Sequence, residues 1–226
     1  MTLSTHTDLV QGSDEWLQAR LGLVTASVVG QFITPTLKVA DNETSRGLML
    51  LLTAERLTGH IDPVYVSDDM LRGQMDEPIA RAWYAEHHAP VTEVGFMVEE
   101  RPGFTLGYSP DGLVGDDGLI EIKSRKPKVH LKHLLSGEPP KENLAQMQAG
   151  MLVSGRKWCD YISWCGGMRP FVCRVPADPR WAAVIVEAVE AFESTSSEKI
   201  ADYFAVTDGI PDTERVDHFA GPELRL

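Results

Sequence analysis

The chain has 226 residues, of which 43% are hydrophobic and 24% are charged, which is enough apolar material for one core and one predicted domain over residues 1–226. A formal net charge of −12 argues against a broad basic surface that coats nucleic acid, although basic residues confined to a channel are compatible with it. The three cysteines lack CxxC spacing, which predicts neither a disulfide framework nor a zinc site. The amino terminus has no apolar export segment, and the longest apolar run, residues 48–54, is too short to span a membrane. These features predict a soluble cytoplasmic protein.

Helical patterns dominate the amino-terminal part of the chain. Ser13 and Thr25 are suitable N-cap residues, and Gly59 is a suitable residue to end a helix. Pro78 is expected to kink or restart the helix that contains it, because proline lacks a backbone N–H. These patterns predict helices from Ser13 to Leu21, from Thr25 to Phe32, over 43–58 and over 67–88.

Short apolar runs separated by turn sequences replace the helical pattern over residues 91–123, which predicts a mostly antiparallel β-meander. Beyond it, the pattern predicts a helix over 141–154, strands over 161–165 and 171–175, and a long helix over 178–203. The resulting order α, β, α, β, α is typical of an α/β sandwich around a mixed sheet.

Charged residues interrupt the apolar β pattern at the end of the meander. Glu121 and Lys123 are two residues apart, so the period of a strand places both side chains on one face, and Asp111 lies in a preceding Pro-Asp-Gly turn. Carboxylates from Asp111 and Glu121, together with the Ile122 carbonyl, are the oxygen ligands that Mg²⁺ prefers. Lys123 would orient a water molecule or neutralise charge on phosphorus. The motif therefore predicts a metal-dependent site that cleaves phosphodiesters.

The residues around this motif also allow less specific interpretations. Pro-Asp-Gly and Asp-Asp-Gly are ordinary turn sequences, so a surface hairpin is the alternative to a metal site. Opposite charges on one face of an apolar strand favour the metal site, because such charges need a partner. The basic stretch over residues 123–128, which continues to Lys132, is either a solvated loop and helix start or a surface that faces DNA, and its position beside the motif favours the second interpretation.

Four sequence blocks together resemble the phage lambda exonuclease group, the YqaJ-like viral recombinase branch of the PD-(D/E)XK nucleases. The blocks follow the family's order and extend over about two thirds of the chain. The resemblance implies a restriction-endonuclease-like α/β core, with a central mixed β-sheet flanked by helices. The blocks are residues 11–16 with 19–27, residues 72–77, residues 109–113 leading to 121–123, and residues 145–148.

The resemblance further implies a Mg²⁺-dependent exonuclease, with Mn²⁺ able to substitute, that enters at a double-stranded DNA end. Such an enzyme digests one strand in the 5′ to 3′ direction, releases mononucleotides and leaves a 3′ single strand. It would act as a homotrimeric ring around DNA, which makes digestion processive, and with a single-strand annealing protein in recombination. Two rival interpretations are an endonuclease built on the same core and a non-catalytic DNA-binding assembly module.

Residue roles beyond the motif also come from the resemblance. Glu77 would bind a second metal ion or position water, whereas a lone glutamate on a helix is otherwise usually solvated. The positions that match the family's pocket for the terminal 5′-phosphate are Arg20, Ser27, Ser109 and Gln146. A guanidinium, hydroxyl groups and an amide are suitable phosphate donors. Without the resemblance, the same residues would be interpreted as a surface ion pair, a helix cap, a turn former and a polar helix face.

Histidine and tryptophan residues give weaker predictions. His130 and His133 share a predicted helical face and His87 adjoins His88, but neither pair has an evident third metal ligand. Structural or phosphate-contact roles are therefore favoured. The five tryptophans are scattered along the chain, which favours core positions for most of them, with Trp16 or a loop residue near it as a candidate wedge at the duplex end.

Overall fold

The structure is a computed structural model that describes residues 2–63 and 65–216. Its amino-terminal part is mainly helical, as the sequence predicts, and it also contains two short strands. The elements are β1 (Thr2–His6), α1 (Asp14–Arg20), β2 (Val24–Thr25), a 3₁₀ helix (Val29–Phe32), α2 (Glu43–Thr58) and α3 (Asp68–His87).

Local capping explains where two of these helices begin and end. The Ser13 side chain accepts a hydrogen bond from the Trp16 amide at the start of α1. Asn42 and Ser45 form a reciprocal capping box at the start of α2, and Gly59 ends that helix in the left-handed conformation with φ of 66°. These contacts confirm the predicted positions of the first and third helices.

The predicted helix from Thr25 to Phe32 is wrong. Thr25 belongs to β2, which pairs in parallel with β5 (Phe104–Tyr108), and only residues 29–32 form a single 3₁₀ turn. Val29 and Phe32 are buried, so this segment enters the core directly after the strand. Tertiary strand pairing has therefore overridden a local cap sequence.

Helix α3 passes through Pro78 without a restart. The proline removes the hydrogen bond to the Gln74 carbonyl, but Gln74 is an exposed residue at a cavity, where water can satisfy that carbonyl. The turns that follow are fixed by burial of Ala80 and Tyr84, and the Tyr84 hydroxyl donates a 2.6 Å hydrogen bond to Asp160. These contacts keep both parts of the helix in one element.

The carboxyl-terminal part contains most of the strands and three further helices. The predicted helix over 141–154 and the predicted long last helix are confirmed, whereas residues 127–136 form a full helix where only a loop and helix start was expected, and β1 was not predicted. The elements are β3 (Val91–Thr92), β4 (Phe96–Arg101), β5 (Phe104–Tyr108), β6 (Gly112–Val114), β7 (Gly118–Ser124), α4 (Pro127–Ser136), α5 (Lys141–Ser154), β8 (Trp158–Trp164), β9 (Phe171–Pro176) and α6 (Pro179–Val206).

The strands form two mixed sheets with helices packed around them. One sheet has the order β1-β4-β5-β2 and the other has the order β3-β6-β7-β8-β9. The predicted meander is therefore divided: β4 and β5 belong to the first sheet, whereas β3, β6 and β7 belong to the second, and β7 runs parallel to β8. Residues 109–111 carry the chain from the first sheet to the second, so the Pro-Asp-Gly turn lies between the two sheets.

Most of the buried apolar side chains belong to one large core. That core includes Val24, Leu106, Leu119, Met147 and Phe192, and it joins both sheets to α2, α5 and α6. A smaller cluster lies where α3 packs on the second sheet and includes Ala80, Tyr84, Ile120 and Ile162. The predicted α/β architecture is confirmed. Within residues 2–63 and 65–216, none of the helices combines the length and the hydrophobicity needed to cross a bilayer.

Candidate active site

Strand β7 places Glu121 and Lys123 on the same face of the second sheet. The Lys123 Nζ atom lies 2.6 Å from Glu121 Oε1. Glu121 is completely buried, whereas the Lys123 side chain is 28% exposed. Ile120 and Ile122 alternate with these residues along the strand, and both pack into the smaller core, which fixes the two faces of the strand. The two charged side chains therefore contact each other at the position where the strand leaves β6.

The turn between the sheets brings Asp111 to the same strand. Asp111 Oδ2 accepts a 2.6 Å hydrogen bond from the Ile122 amide, just beyond the last β6–β7 pair at Gly112 and Ile120. The amide and the carbonyl of one residue in a strand point to the same edge. The Ile122 carbonyl therefore faces the edge on which Asp111 lies, next to Glu121 in the chain.

The chemistry of these groups fits a divalent cation. Both Glu121 oxygens are buried and, within the described residues, have no aligned hydrogen-bond donor, although the Lys123 ammonium is close enough to form an ion pair. Lys123 supplies one positive charge against the two buried carboxyl groups of Glu121 and Asp111, so a further cation would improve the charge balance there. Mg²⁺ is typically held by one or two carboxylates with water and substrate oxygens, so Asp111, Glu121 and the Ile122 carbonyl are candidate ligands for it. No preassembled cluster of three or more ligand side chains is found among residues 2–63 and 65–216.

Burial raises the pKa of both carboxyl groups that are candidate metal ligands. Burial raises the pKa of Glu121 to about 7, and the Asp111 charge adds to this rise against the opposing effect of Lys123. Burial also raises the pKa of Asp111, opposed by Lys123 and by the hydrogen bond from the Ile122 amide. Burial lowers the pKa of Lys123, but the charges of Glu121 and Asp111 outweigh it, so the net shift is upward and the amine stays charged.

Glu77 approaches the same site from helix α3. Burial raises its pKa to about 7, followed by the effect of the Asp111 charge. Its carboxylate pairs with Arg81, one helical turn along, and Arg81 Nε donates a 2.6 Å hydrogen bond to the Asp111 carbonyl. The neighbouring Asp76 instead accepts a 2.6 Å hydrogen bond from Ser124. The structure therefore separates the two adjacent acids, with Glu77 directed to the cavity.

A cavity of about 430 Å³ connects the charged strand to the predicted phosphate ligands. Its lining contains seven of the sequence-predicted residues together with Ile122, but Glu121 lies behind the surface and does not line it. The two predicted groups of residues, the metal ligands and the phosphate ligands, therefore meet at one space. The predicted residues in the lining are Arg20, Ser27, Glu77, Ser109, Asp111, Lys123 and Gln146.

The phosphate-ligand group is organised around Arg20. Its Nη2 atom lies 3.3 Å from the Thr25 hydroxyl and 3.4 Å from the Ser27 hydroxyl, and it donates to both. The Trp16 ring lies beneath the guanidinium at 4.0 Å, and Trp16 Nε1 donates a 2.9 Å hydrogen bond to Ser109. The guanidinium and three hydroxyl groups are thus gathered as potential donors to an anion. Burial lowers the pKa of Arg20, and the charge of the nearby buried Glu55 opposes that effect.

Two residues that line the cavity, Thr25 and Tyr108, were not predicted as site residues, and Trp16 lies behind the lining in a role other than the one expected. Thr25 was interpreted as a helix cap, but its hydroxyl joins the Arg20 group. Trp16, considered as a wedge, is only 7% exposed and contacts Arg20 and Ser109, two of the predicted phosphate ligands. Tyr108 ends β5 at the cavity with a buried hydroxyl that has no partner among the described residues. Trp16 and Thr25 lie inside the first sequence block, and their nearness to Arg20 and Ser27 in the chain was the signal that could have indicated a role at the site.

Several other candidates lie away from the site or have structural partners. Gln148 is held by the Pro176 carbonyl and the Asp178 amide, which distinguishes it from Gln146 at the cavity. Both ring nitrogens of His130 are occupied, by Ser163 at 2.8 Å and by the Arg169 carbonyl at 2.9 Å. In the basic stretch, Lys126 pairs with Asp69 at 3.1 Å, beside the cavity.

Comparisons with known proteins identify the family of this chain. The model of the YqaJ-like viral recombinase domain matches residues 15–157. No curated protein matches the chain. The crystal structure of an alkaline exonuclease, LHK-Exo, from Laribacter hongkongensis is 36% identical, with a TM-score of 0.77 over 86% of this chain and 98% of that chain. LHK-Exo in complex with dAMP gives 36% identity and a TM-score of 0.76 over the same shares, 86% and 98%.

A more distant structure supports the fold alone. The phage-related exonuclease from Haemophilus somnus 129PT is 13% identical, with a TM-score of 0.59 over 80% of this chain and 96% of that chain. The family match covers more than half of the 226 residues, and the resemblance found in the sequence is confirmed. This chain therefore belongs to the YqaJ-like viral recombinase family.

Proposed function

We propose that the protein is a Mg²⁺-dependent exonuclease that digests one strand of linear double-stranded DNA from its 5′ end. Mn²⁺ should substitute for Mg²⁺, the products should be mononucleotides, and the other strand should remain as a 3′ single strand. Family membership and the likeness to an alkaline exonuclease support nuclease activity. The observation that carries the finer proposal is the single cavity shared by Asp111, Lys123 and Arg20.

The carboxylates and the ammonium would have different roles in hydrolysis. Asp111, Glu121 and the Ile122 carbonyl would hold the cation, with Glu77 serving a second ion or a water molecule. When bound, the cation polarises the scissile phosphate and lowers the pKa of water. Lys123, held at Glu121 and facing the cavity, would orient the attacking water and offset the negative charge that develops on phosphorus. Its raised pKa keeps it charged at neutral pH.

The group around Arg20 would bind the phosphate at the 5′ terminus of the strand being digested. The cavity wall away from the charged strand offers N–H and O–H donors. These donors come from Arg20, Ser27, Ser109 and Gln146. Binding a terminal phosphate at a fixed place would position the next phosphodiester at the metal ligands. This arrangement gives the enzyme its direction, because each cleavage creates a new terminal 5′-phosphate.

The proposal extends to the assembly and its setting. We propose that residues 1–226 form one nuclease domain, that three copies form a ring around DNA, and that a single-strand annealing protein receives the exposed strand for recombination. Three free cysteines are compatible with action in the reducing cytoplasm. The basic residues Lys126 and Lys132, exposed beside the cavity strand and on α4, would face the DNA.

The proposal is tested by digestion of a linear duplex that is end-labelled and carries either a 5′-phosphate or a 5′-hydroxyl. With Mg²⁺, the wild-type protein should release labelled mononucleotides and prefer the phosphorylated end, and EDTA should stop the reaction. Glu121→Gln should abolish cleavage because it removes a charged ligand. Arg20→Ala should reduce the preference for phosphorylated ends. Equal use of both ends by wild type would contradict the phosphate pocket.

Two substrates separate this function from its rivals. A supercoiled circle has no end, so an exonuclease leaves it intact while it consumes the same DNA after linearisation. Nicking of the circle would favour an endonuclease of the same core. If linear DNA stays unchanged with Mg²⁺ and with Mn²⁺, although the protein binds it, the assembly-module interpretation would be favoured.

A further inference from the structure

Arg81 has no role in the proposed metal site or phosphate pocket, yet it contacts two of the residues assigned to the metal, Glu77 through its carboxylate and Asp111 through its backbone carbonyl. It lies on α3, and its side chain is only 14% exposed. Its Nη2 atom pairs with Glu77, and its Nε atom donates to the Asp111 carbonyl at 2.6 Å. The remaining arm, Nη1, pairs with Glu93, whose side chain is 71% exposed.

These contacts join two different parts of the fold. Glu77 belongs to a helix, whereas Asp111 belongs to the turn between the two sheets. The guanidinium is planar and presents its donors in a fixed fork, so it can hold a carboxylate and a carbonyl at a set spacing. A lysine has one charged nitrogen on a flexible chain and lacks that fork.

Other contacts of α3 strengthen this geometry. Tyr84, which follows Arg81 by three residues, is anchored by its 2.6 Å hydrogen bond to Asp160. On the preceding side, Asp76 is tied to Ser124 at the end of β7 at 2.6 Å. The helix is therefore held against the second sheet on both sides of the Glu77–Arg81 pair, and Arg81 is left to set the relation between Glu77 and Asp111.

We propose that Arg81 is a positioning residue that fixes Glu77 and the Asp111 turn as one preorganised unit for divalent-cation binding. The inference rests on the proposed function, since it takes both acids as cation ligands. Partners of metal ligands orient those ligands, and their loss commonly weakens metal affinity by roughly 10- to 100-fold. A competing effect has the opposite sign: if Arg81 instead sequesters Glu77, its removal would free the carboxylate and tighten metal binding.

The test measures Mn²⁺ binding to the full-length protein by electron paramagnetic resonance, without DNA. Arg81→Met should weaken Mn²⁺ binding by roughly 10- to 100-fold. Arg81→Lys keeps the charge and should still bind Mn²⁺ more weakly than wild type, which preserves the test if the Met variant is misfolded. Glu93→Gln is the matched control, because it breaks the exposed arm and removes only the smallest of the charge effects on Glu77, so it should change affinity by less than about fivefold.

A second arm asks whether Arg81 acts through Glu77. Glu77→Gln should weaken Mn²⁺ binding by itself, and adding Arg81→Met to it should cost much less than the same change in wild type, because groups that act together are not additive. Fully additive losses would overturn the role through Glu77. Thermal melting and circular dichroism of each variant separate loss of positioning from loss of fold.

A third measurement is the rate of DNA digestion as a function of Mg²⁺ concentration. Arg81→Met should raise the Mg²⁺ concentration needed for half-maximal rate more than it lowers the rate at saturation. If wild type digests linear DNA but Arg81→Met and Arg81→Lys bind Mn²⁺ as tightly as wild type or more tightly, the inference fails while the proposed function stands. If wild type neither binds Mn²⁺ nor digests DNA, the proposed function fails and takes this inference with it.

Discussion

Trp16 connects two proposed phosphate ligands, Arg20 and Ser109, that are far apart in the chain. Its indole N–H donates to the Ser109 hydroxyl at 2.9 Å, across 93 residues of sequence, and its ring supports Arg20 at 4.0 Å. Ser109 in turn lies two residues before Asp111. One buried aromatic residue therefore sets the position of a guanidinium and of a hydroxyl by two different interactions, which can be separated by substitution.

Replacing Trp16 should reduce the preference for 5′-phosphorylated ends. Trp16→Phe keeps a ring beneath Arg20 but removes the N–H donor, and a lost hydrogen bond of this kind corresponds to a decrease of about 2- to 10-fold in that preference. Trp16→Leu removes the cation–π contact as well and should decrease it further. Initial rates on phosphorylated and hydroxyl ends measure the ratio. Trp181→Phe, in α6, is the control, and an unchanged ratio in both Trp16 variants would argue against the support role.

The acidic residues of the site predict a pH dependence of metal binding. The pKa values of Glu77 and Glu121 are each raised to about 7 by burial, and cation binding requires the ionised forms. Mg²⁺ affinity should therefore increase between pH 6 and pH 8, by at most about tenfold per pH unit for each proton released. Calorimetric titrations in that range, in buffers of different ionisation enthalpy, measure both affinity and proton release. Affinity independent of pH would contradict the raised pKa values.

The same pKa shifts predict how the metal-free fold responds to pH. The pKa of Glu121 is raised from its ordinary value of 4.5 to about 7, so the native state binds more protons than the unfolded chain between these values. The contribution of this group to the free energy of unfolding therefore falls as pH rises through that window. Denaturation in EDTA at pH 5 and pH 7.5 should show a smaller fall for Glu121→Gln than for wild type.

At the scale of elements, helix α5 packs on the end of β5 through a glycine. A Cβ atom at Gly150 would lie 2.6 Å from Cζ of Tyr108, a residue that is 1% exposed and lines the cavity. The buried ring has little room to move away. Gly150 therefore allows the helix to approach the strand that leads into the Ser109–Asp111 turn, although glycine is normally unfavourable inside a helix.

Gly150→Ala should destabilise the protein and disturb the site. Overpacking of a buried contact commonly costs about 1–3 kcal/mol, which exceeds the gain of at most about 1 kcal/mol from the better helix propensity of alanine. Gly47→Ala in α2 is the matched control, because no atom lies within 4 Å of its added Cβ, and it should stabilise slightly. Urea denaturation and digestion rates of both variants provide the comparison. Equal stabilisation by both changes would contradict the packing argument.

At the scale of the whole molecule, the net charge of −12 requires an explanation for DNA binding. The cations that face the cavity, Arg20 and Lys123, are few, and Arg72 and Lys126 beside it already pair with Asp69. A small basic channel gives weak electrostatic affinity for a duplex. A ring of three chains would retain DNA by enclosure rather than by charge, which is why the proposed trimer matters for processivity.

The trimer proposal predicts two linked measurements. Light scattering should give three times the mass of one chain, and digestion of a long duplex should continue after excess competitor DNA is added. Because enclosure does not depend on counterion release, moderate salt should reduce the rate of loading more than the number of nucleotides removed per binding event. A monomeric mass, together with digestion that stops at once when competitor is added, would contradict the ring.

The sequence by itself determined the helices over 43–58 and 141–154, most of strands β8 and β9, and the family. Periodicity, caps and ordered blocks are local properties of the chain. It also identified Asp111, Glu121 and Lys123 as a candidate set from a strand's period of two. Only the tertiary structure decided that Thr25 pairs as a strand, that Pro78 stays within one helix, and that Trp16 and Arg81 join distant ligands. These outcomes depend on contacts between residues far apart in sequence, whose packing and hydrogen bonds outweigh local preference.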